Sequence, residues 1–366
     1  MQRAFVPTID TGHWTMPSDT ALEQLVMSAD PLHSFLRPSW FRAAQREVQF
    51  TGFESDGRLI AAFPLIARKM GPISVKQVAG PYWPFRSIPI VLDASGAEIE
   101  AMVSGSDARS HLGKAWRLGP VQDNDPAFRA LVSAADKTGW AVFQRSIAHS
   151  FDIDIAAMQA KGPWPSKSAT RQSRNYTNRL ARIGEVQTIH RTGADWTKAD
   201  RDAMAEIEAN SWLAEQGDNA DTKFLDPVSR RMWEKIAEDP QIAPHMFCSI
   251  MRVGTVPAAF TFGLEIGAIR YQIANNFNEA FKNASPGRIL LTMNFADAAE
   301  RGVRTINWGA GDAGYKVRYG AEAGPQIVDL LFLDQRWIAP FVSPLLASGG
   351  WNKISDAELQ SREWSR

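Results

Sequence analysis

Between Tyr271 and Gly320 the chain spells out a strand, a helix start, a helix, a second strand and a glycine-rich turn, and that order leaves few folds open. The strand Tyr271-Gln-Ile-Ala-Asn275-Asn276 leads to Asn283-Ala-Ser285-Pro286-Gly287-Arg288, which opens a helix expected to run through Glu300. Val303-Arg-Thr-Ile-Asn-Trp308 then reads as a strand, followed by Gly309-Ala-Gly311-Asp312-Ala-Gly314-Tyr315-Lys316. Ser285 is placed to cap the helix with its hydroxyl, and Pro286 forfeits only an amide hydrogen the first turn would not use. Gly302 suits the left-handed position that ends a helix. The free amides and partial positive charge of such a helix start make a place for an anion.

The punctuation repeats along the chain. Phe50 to Ile66 reads as two strands joined at Asp56-Gly57, a favoured tight-turn dipeptide, and Phe247 to Phe260 as a second hairpin turning at Gly254. Both carry Gly-x-x-x-Ala-Ala-Phe, at Gly57 to Phe63 and at Gly254 to Phe260. Downstream of each lies a similar helix ending, Ala134-Ala-Asp-Lys-Thr-Gly139 and Ala298-Ala-Glu-Arg-Gly302. Two tandem copies of one α/β unit with a mixed sheet account for this, with a boundary between Phe151 and Pro165. Leu32 to Arg46 is expected to be helical and Ile327 to Leu333 to be the last strand. Pro81, Tyr82, Trp83, Pro84, Phe85 and Pro89 either line a ligand pocket or form a packed irregular connection. Trp337 to Leu346 is expected to pack on its domain in preference to touching lipid, and Asp356 to Arg366 to be an exposed tail.

Just past the boundary, Lys161, Lys167, Arg171, Arg174, Arg179 and Arg182 occur with no acidic residue among them. On a helix, Lys167, Arg171, Arg174 and Arg182 share one face, and Ala169, Tyr176, Leu180 and Ile183 the other. Such a stripe is either a solvated face or a contact for phosphate or nucleic acid. Thr197-Lys-Ala-Asp200 resembles a capping box opening a helix through Glu215, on which Glu208 stands among Met204, Ile207 and Ser211, one turn before Trp212. A carboxylate there is either snorkelling at an edge or a desolvated base.

Composition excludes several classes. The 366 residues suit two domains, 45% hydrophobic and 22% charged residues are ordinary for a globular protein, and 40 basic against 40 acidic residues remove nonspecific attraction to DNA. Cys248 is the single cysteine, so no intramolecular disulfide forms, and its apolar setting suits a small buried hydrophobe. His13, His33, His111, His149, His190 and His245 show no paired ligand spacing, so no metal is expected. The apolar run at the N-terminus is too short for a signal peptide and no stretch of about 18 apolar residues occurs, so the expected location is cytoplasmic, with peripheral membrane contact allowed.

Taken in order, Ser166-Lys-Ser168-x-x-Arg171-x-x-Arg174, Glu208-x-x-Ser211-Trp212, the Tyr271 strand, Ser285-Pro-Gly287-x-x-Leu290 and Gly311-Asp-x-Gly-Tyr315-Lys316 resemble the tandem acyltransferases of the Gcn5-related (GNAT) superfamily. The chain is most similar to the acetyltransferase family associated with cellulose biosynthesis, and it also resembles the Fem-type peptidyltransferases. The resemblance covers roughly Leu32 to Leu333. Of the superfamily's pyrophosphate loop, Arg/Gln-x-x-Gly-x-Gly/Ala, Gly287 and the helix start match, and Asn276 and Asn307 stand where many relatives carry acids.

The resemblance implies a degenerate GNAT-like domain over residues 1–150, an acyltransferase domain over 151–340 and a tail over 341–366. It implies transfer of an acyl group from acyl-CoA, as co-substrate, to an amine of an amino sugar, a cell-wall precursor or a long-chain sphingoid-type base. Lys167, Arg171, Arg174, Ser285, Gly287 and Arg288 are then expected to hold the donor, and Trp212, Tyr271, Asn276, Trp308 and Asp312 to line the substrate site. Glu208 is the expected base, Lys316 the stabiliser of charge on the thioester oxygen, and Tyr315 the proton donor to the leaving thiolate. Two other readings stand beside this one: a ligase using aminoacyl-tRNA held by the Lys167 to Arg182 face, and a noncatalytic protein binding a polysaccharide or a partner.

Overall fold

The computed structural model describes residues 12–44, 47–70, 73–82, 85–219, 221–311, 314–336 and 346–354. Trp83, Pro84, Asp312, most of the 337–346 segment and the 356–366 tail lie outside them. In chain order the strands are β1 (His13–Thr15), β2 (Gln49–Ser55), β3 (Arg58–Met70), β4 (Ile73–Val78), β5 (Ala115–Gln122), β6 (Trp140–Asp154), β7 (Val186–Thr192), β8 (Met246–Val253), β9 (Val256–Ile266), β10 (Ile269–Phe277), β11 (Thr305–Ala310), β12 (Glu322–Asp334) and β13 (Asn352–Lys353). The helices are α1 (Asp19–Ser28), α2 (Pro38–Ala44), α3 (Gly96–Val103), α4 (Gly105–Leu112), α5 (Pro126–Lys137), α6 (Ile155–Ala160), α7 (Lys167–Ala181), α8 (Lys198–Ala209), α9 (Pro227–Ala237) and α10 (Pro286–Glu300).

The chain divides into two compact units, Met1–Ala148 with Pro325–Arg366, and His149–Gly324. The sequence places the boundary at 150/151 and keeps residues 325–340 in the second domain; in the structure residues 325–336 return to the first unit. The reason is β12, whose Val328, Leu330 and Phe332 are fully buried in the core of unit 1 with Trp116, Leu118 and Trp140. β12 pairs there with β5, from Ile327↔Gln122 to Leu333↔Ala115.

Both units follow one plan. Unit 1 runs from β1 through α1 and α2 to the antiparallel meander β2-β3-β4, then through α3 and α4 to β5, which lies parallel to β4. Unit 2 runs from β7 through α8 and α9 to the meander β8-β9-β10, then through α10 to β11, parallel to β10. Both hairpins expected from sequence are present, and at the first Asp56 (φ 50°) and Gly57 (φ 74°) take the two left-handed positions that a type I′ turn requires.

Several boundaries move for local reasons. The helix expected over Leu32 to Arg46 is a short 3₁₀ turn at Pro31–His33 and then α2, because Pro38 lacks an amide hydrogen and restricts Arg37. The helix expected from Thr197 through Glu215 keeps its capping box but ends at Ala209, with a 3₁₀ segment Trp212–Asn219 after it. α7 buries Leu180 and half-buries Ala169 and Tyr176 as expected, whereas Ile183 lies past the helix end and is 63% exposed. Cys248 is buried, and burial pushes its thiol up to about 12.

A pocket and a strand opening in the second unit

β10 and β11 pair only over Ile269↔Thr305, Arg270↔Ile306 and Tyr271↔Asn307. Beyond that both continue, β10 to Phe277 beside β9 and β11 to Ala310 beside β6, so the two parallel strands part and leave backbone groups facing a gap. A bulge between Gln272 and Ala274 bends β10 at this point, and the register of β11 on β6 breaks between Asn307 and Ala310.

Side chains alternate across the sheet here. Ile306 and Trp308 pack with Leu291 and Phe295 of α10 on one face. Asn307 therefore points to the other face, where its Nδ2 donates to Asp152 Oδ1 at 2.8 Å from the directly opposed position of β6. Burial raises the Asp152 carboxyl to about 6, against the neighbouring Ser150 hydroxyl and the Lys316 charge, which both favour the ionised form. Ser150 itself is fully buried, and its Oγ has no hydrogen-bond partner of good geometry.

On the α10 face lies a cavity of about 350 Å³. Ser166, Ser168, Ala169 and Gln172 of the α7 start line one side, Arg288, Thr292 and Phe295 of α10 another, and Val317 to Gly320 a third. Ser166 caps α7 by accepting from the Ala169 amide at 3.2 Å, so the positive end of that helix is directed at the cavity. Arg288 adds a guanidinium 5.8 Å from the Tyr319 ring centre, and Arg318 a second cation. Trp164 stacks on Phe295 at 5.6 Å, giving an aromatic wall. A cationic mouth with a half-aromatic lining fits a phosphorylated group with an attached ring.

The residues expected from sequence fall into separate places. Trp308 is buried and meets Tyr315, 41% exposed, edge to face at 5.4 Å. Lys316 is buried, and its Nζ donates to the carbonyls of Trp308 at 2.7 Å, Gly309 at 3.3 Å and Ala310 at 3.0 Å. Its three N–H bonds therefore clamp the end of β11, so what it lends its surroundings is charge. Tyr271 and Asn276 are buried on β10, and Trp212 is 49% exposed. Lys167, Arg171 and Arg174 are exposed on α7, outside the lining of the cavity that Ser168 and Gln172 share.

Two expectations change at the helix start and at Glu208. Ser285 occupies the N-cap position of α10 but takes a left-handed backbone (φ 46°), and its hydroxyl makes no capping bond. The Arg288 amide is used by the Ser285 carbonyl at 3.1 Å, and Gly287 is buried against Phe277, so this helix start is closed on itself and Arg288 reaches the cavity through its side chain. Glu208 is fully buried and accepts from three successive backbone amides, Lys223 at 2.9 Å and Phe224 and Leu225 at 2.8 Å each. Burial pushes its carboxyl above the usual range, the amides pull it back, and both oxygens are occupied in holding a loop.

Sequence reading missed Asp152 and Arg318. A signal for Asp152 exists in Phe151-Asp-Ile-Asp154, since aspartate is depleted inside strands and here alternates with apolar residues. Among the described residues no group of His, Cys, Asp or Glu is placed to hold a metal ion, and no helix is long and apolar enough to cross a membrane.

Residues 167–317 match the family model of the acetyltransferase (GNAT) domain. No curated protein sequence matches the chain. Among solved structures it is similar to FemX, with a TM-score of 0.59 at 9% identity over 90% of this chain and 99% of that one. It is also similar to the C-terminal domain of a putative lysylphosphatidylglycerol synthetase from Agrobacterium fabrum, with a TM-score of 0.51 at 14% identity over 92% and 98%. A third is a conserved protein of unknown function from Bacteroides thetaiotaomicron, with a TM-score of 0.53 at 14% identity over 87% and 99%.

Proposed function

We propose that this protein, an acyltransferase with a GNAT domain in its second unit, joins the acyl group of a coenzyme A thioester to the amine of a cell-envelope acceptor. The observation that carries the reading is the parting of β10 and β11 beyond Tyr271 and Asn307. A thioester laid in that gap meets backbone amides that no neighbouring strand uses, which can stabilise the oxygen of a tetrahedral intermediate. The cavity on the α10 face takes the phosphorylated end of the donor, with Arg288, Arg318 and the Ser166 end of α7 as its polar contacts, and Lys167, Arg171 and Arg174 raise the local positive potential.

The acceptor reaches the thioester from the face that carries Asn307, bordered by Tyr271 and Asn276. Nitrogen attacks the carbonyl carbon, the intermediate collapses with loss of the thiolate, and Tyr315, exposed at the end of β11, supplies the proton that makes the leaving group a thiol. An envelope amine is the acceptor class suggested by a fold like those of FemX and a lysylphosphatidylglycerol synthetase. An aminoacyl-tRNA donor is the second reading. It is favoured by the exposed Lys167, Arg171, Arg174 and Arg182, for which no ion pair is formed among the described residues.

Purified protein incubated with coenzyme A thioesters of increasing chain length and with amino sugar, wall-precursor and sphingoid-type amines tests this. Thiol release matched to an amide of the expected mass supports the first reading. Transfer seen only with aminoacyl-tRNA moves the assignment to the second, and absence of both transfer and donor binding removes the enzymatic proposal.

A further inference from the structure

We propose that Asp152 is the catalytic base, taking the proton from the attacking nitrogen as the new C–N bond forms. The inference rests on the acyl-transfer reading above and adds a residue to it.

Position comes first. Asp152 lies on β6 directly opposite Asn307, and Asn307 is the last residue of β11 to pair with β10, so the carboxylate stands beside the point where the strands part. It lies on the face away from α10, hence across the sheet from the cavity that would take the donor. Asn307 Nδ2 fixes Oδ1, and the other oxygen lies close against Gly324. A Cβ built on Gly324 would come within 2.7 Å of both Asp152 Oδ2 and Ser150 Oγ. The Ser150 hydroxyl beside it favours the ionised form, and Asp152 is half-exposed, so the carboxylate keeps access to an incoming group.

The first unit supplies a control built from the same plan. There the last β4-β5 pair is Gln77↔Arg117, and Arg117 donates to Asp329 on β12. Asp329 is fully buried and is also held by Arg145 at 2.6 Å, so two guanidinium groups occupy its oxygens. Asp152 has a neutral amide in place of Arg117 and is only half-buried, and the one charged group acting on it among the described residues is Lys316, reaching in from the turn after β11. A carboxylate that titrates near 6 is ionised at neutral pH yet close enough to it to hold a proton transiently.

The step balances. The neutral amine's lone pair forms the C–N bond while the C=O pair moves to oxygen. Asp152 removes one N–H proton, the oxygen pair returns, and the C–S bond breaks to release thiolate. The thiolate takes a proton from Tyr315, and the Asp152 proton passes through solvent to restore Tyr315, leaving amide and thiol.

The test is the full chain carrying Asp152→Asn, which is isosteric and can still accept from Asn307. The expected result is a kcat about 100-fold or more below wild type, with the donor KM within about twofold, as for loss of a general base. The wild-type fall of kcat/KM below about pH 6 disappears in this variant. Asn307→Asp places a second carboxylate against the first and is expected to move that limb to higher pH, a shift that a merely structural Asp152 would not give. If wild type forms amide and Asp152→Asn keeps its kcat and pH profile, the base assignment is overturned while acyl transfer stands. If wild type binds no coenzyme A thioester and forms no amide, both fall together.

Discussion

Phe85 bridges to Val121 just past the point where β4 and β5 stop pairing. Arg86 completes the seal, its amide donating to the Pro120 carbonyl at 3.3 Å and its carbonyl accepting from the Gly119 amide at 3.1 Å. The gap that unit 2 leaves between β10 and β11 is thus filled in unit 1 by the chain's own backbone. The proline and aromatic segment is a packed connection at Phe85, whose ring meets Phe35 at 5.2 Å and Trp40 at 6.2 Å. Phe85→Ala is expected to lower unfolding free energy by about 3 to 5 kcal/mol, as for a buried aromatic, with donor affinity unchanged. Urea unfolding beside donor titration checks both halves.

Arg288→Ala and Arg318→Ala are each expected to raise the KM for a coenzyme A thioester about tenfold, the size of one charge-assisted contact. A short thioester lacking phosphates should show no such penalty. An equal effect on both donors would place the phosphates elsewhere.

Glu208→Gln should act on stability. Replacing one acceptor oxygen by an NH₂ group opposes an amide of the 223–225 loop, and the expected loss is about 1 to 3 kcal/mol. At a temperature where the variant is folded, kcat/KM should match wild type. A kcat depressed by two orders of magnitude in well-folded protein would return Glu208 to the chemistry.

Lys316→Met removes the clamp on three carbonyls and the charge that lowers the Asp152 carboxyl. The acid limb of kcat/KM is therefore expected to move above about 6, together with a loss of thermal stability. A limb that stays in place would mean that this charge is screened from Asp152.

Stability should carry the same titration. The folded Asp152 carboxyl, at about 6, lies above the 3.8 of an ordinary aspartate, so the folded state binds more protons between those values. That contribution is fully present below about pH 4 and is lost as pH rises through about 6. The difference between wild type and Asp152→Asn in urea midpoint, measured from pH 4 to 7, should change in that window and be flat outside it.

Much of the fold was legible because it is written in local chemistry. Asp56-Gly57 and Gly302 demand left-handed backbone, and α10 runs from Pro286 to Glu300 as its sequence predicts. The site was less so. Ser285 has the right residue type for a cap, but it also ends the 3₁₀ turn Glu279–Ala284 and has a left-handed backbone there, with no capping bond from its side chain. Glu208 looks from its helix like a stranded acid, and only the loop fifteen residues on shows what it binds. Asp152 and Asn307 stand 155 positions apart, and nothing local to either says that the sheet sets them face to face.

The return of residues 325–334 to unit 1 also sets an order of assembly. Unit 2 is one unbroken run, 149–324, and is complete as soon as that run has left the ribosome. Unit 1, although synthesised first, waits for Val328, Leu330 and Phe332 to reach its core. A premature stop just after residue 324 would therefore spare the unit that carries the proposed reaction site and strip the earlier-made one of its central strand.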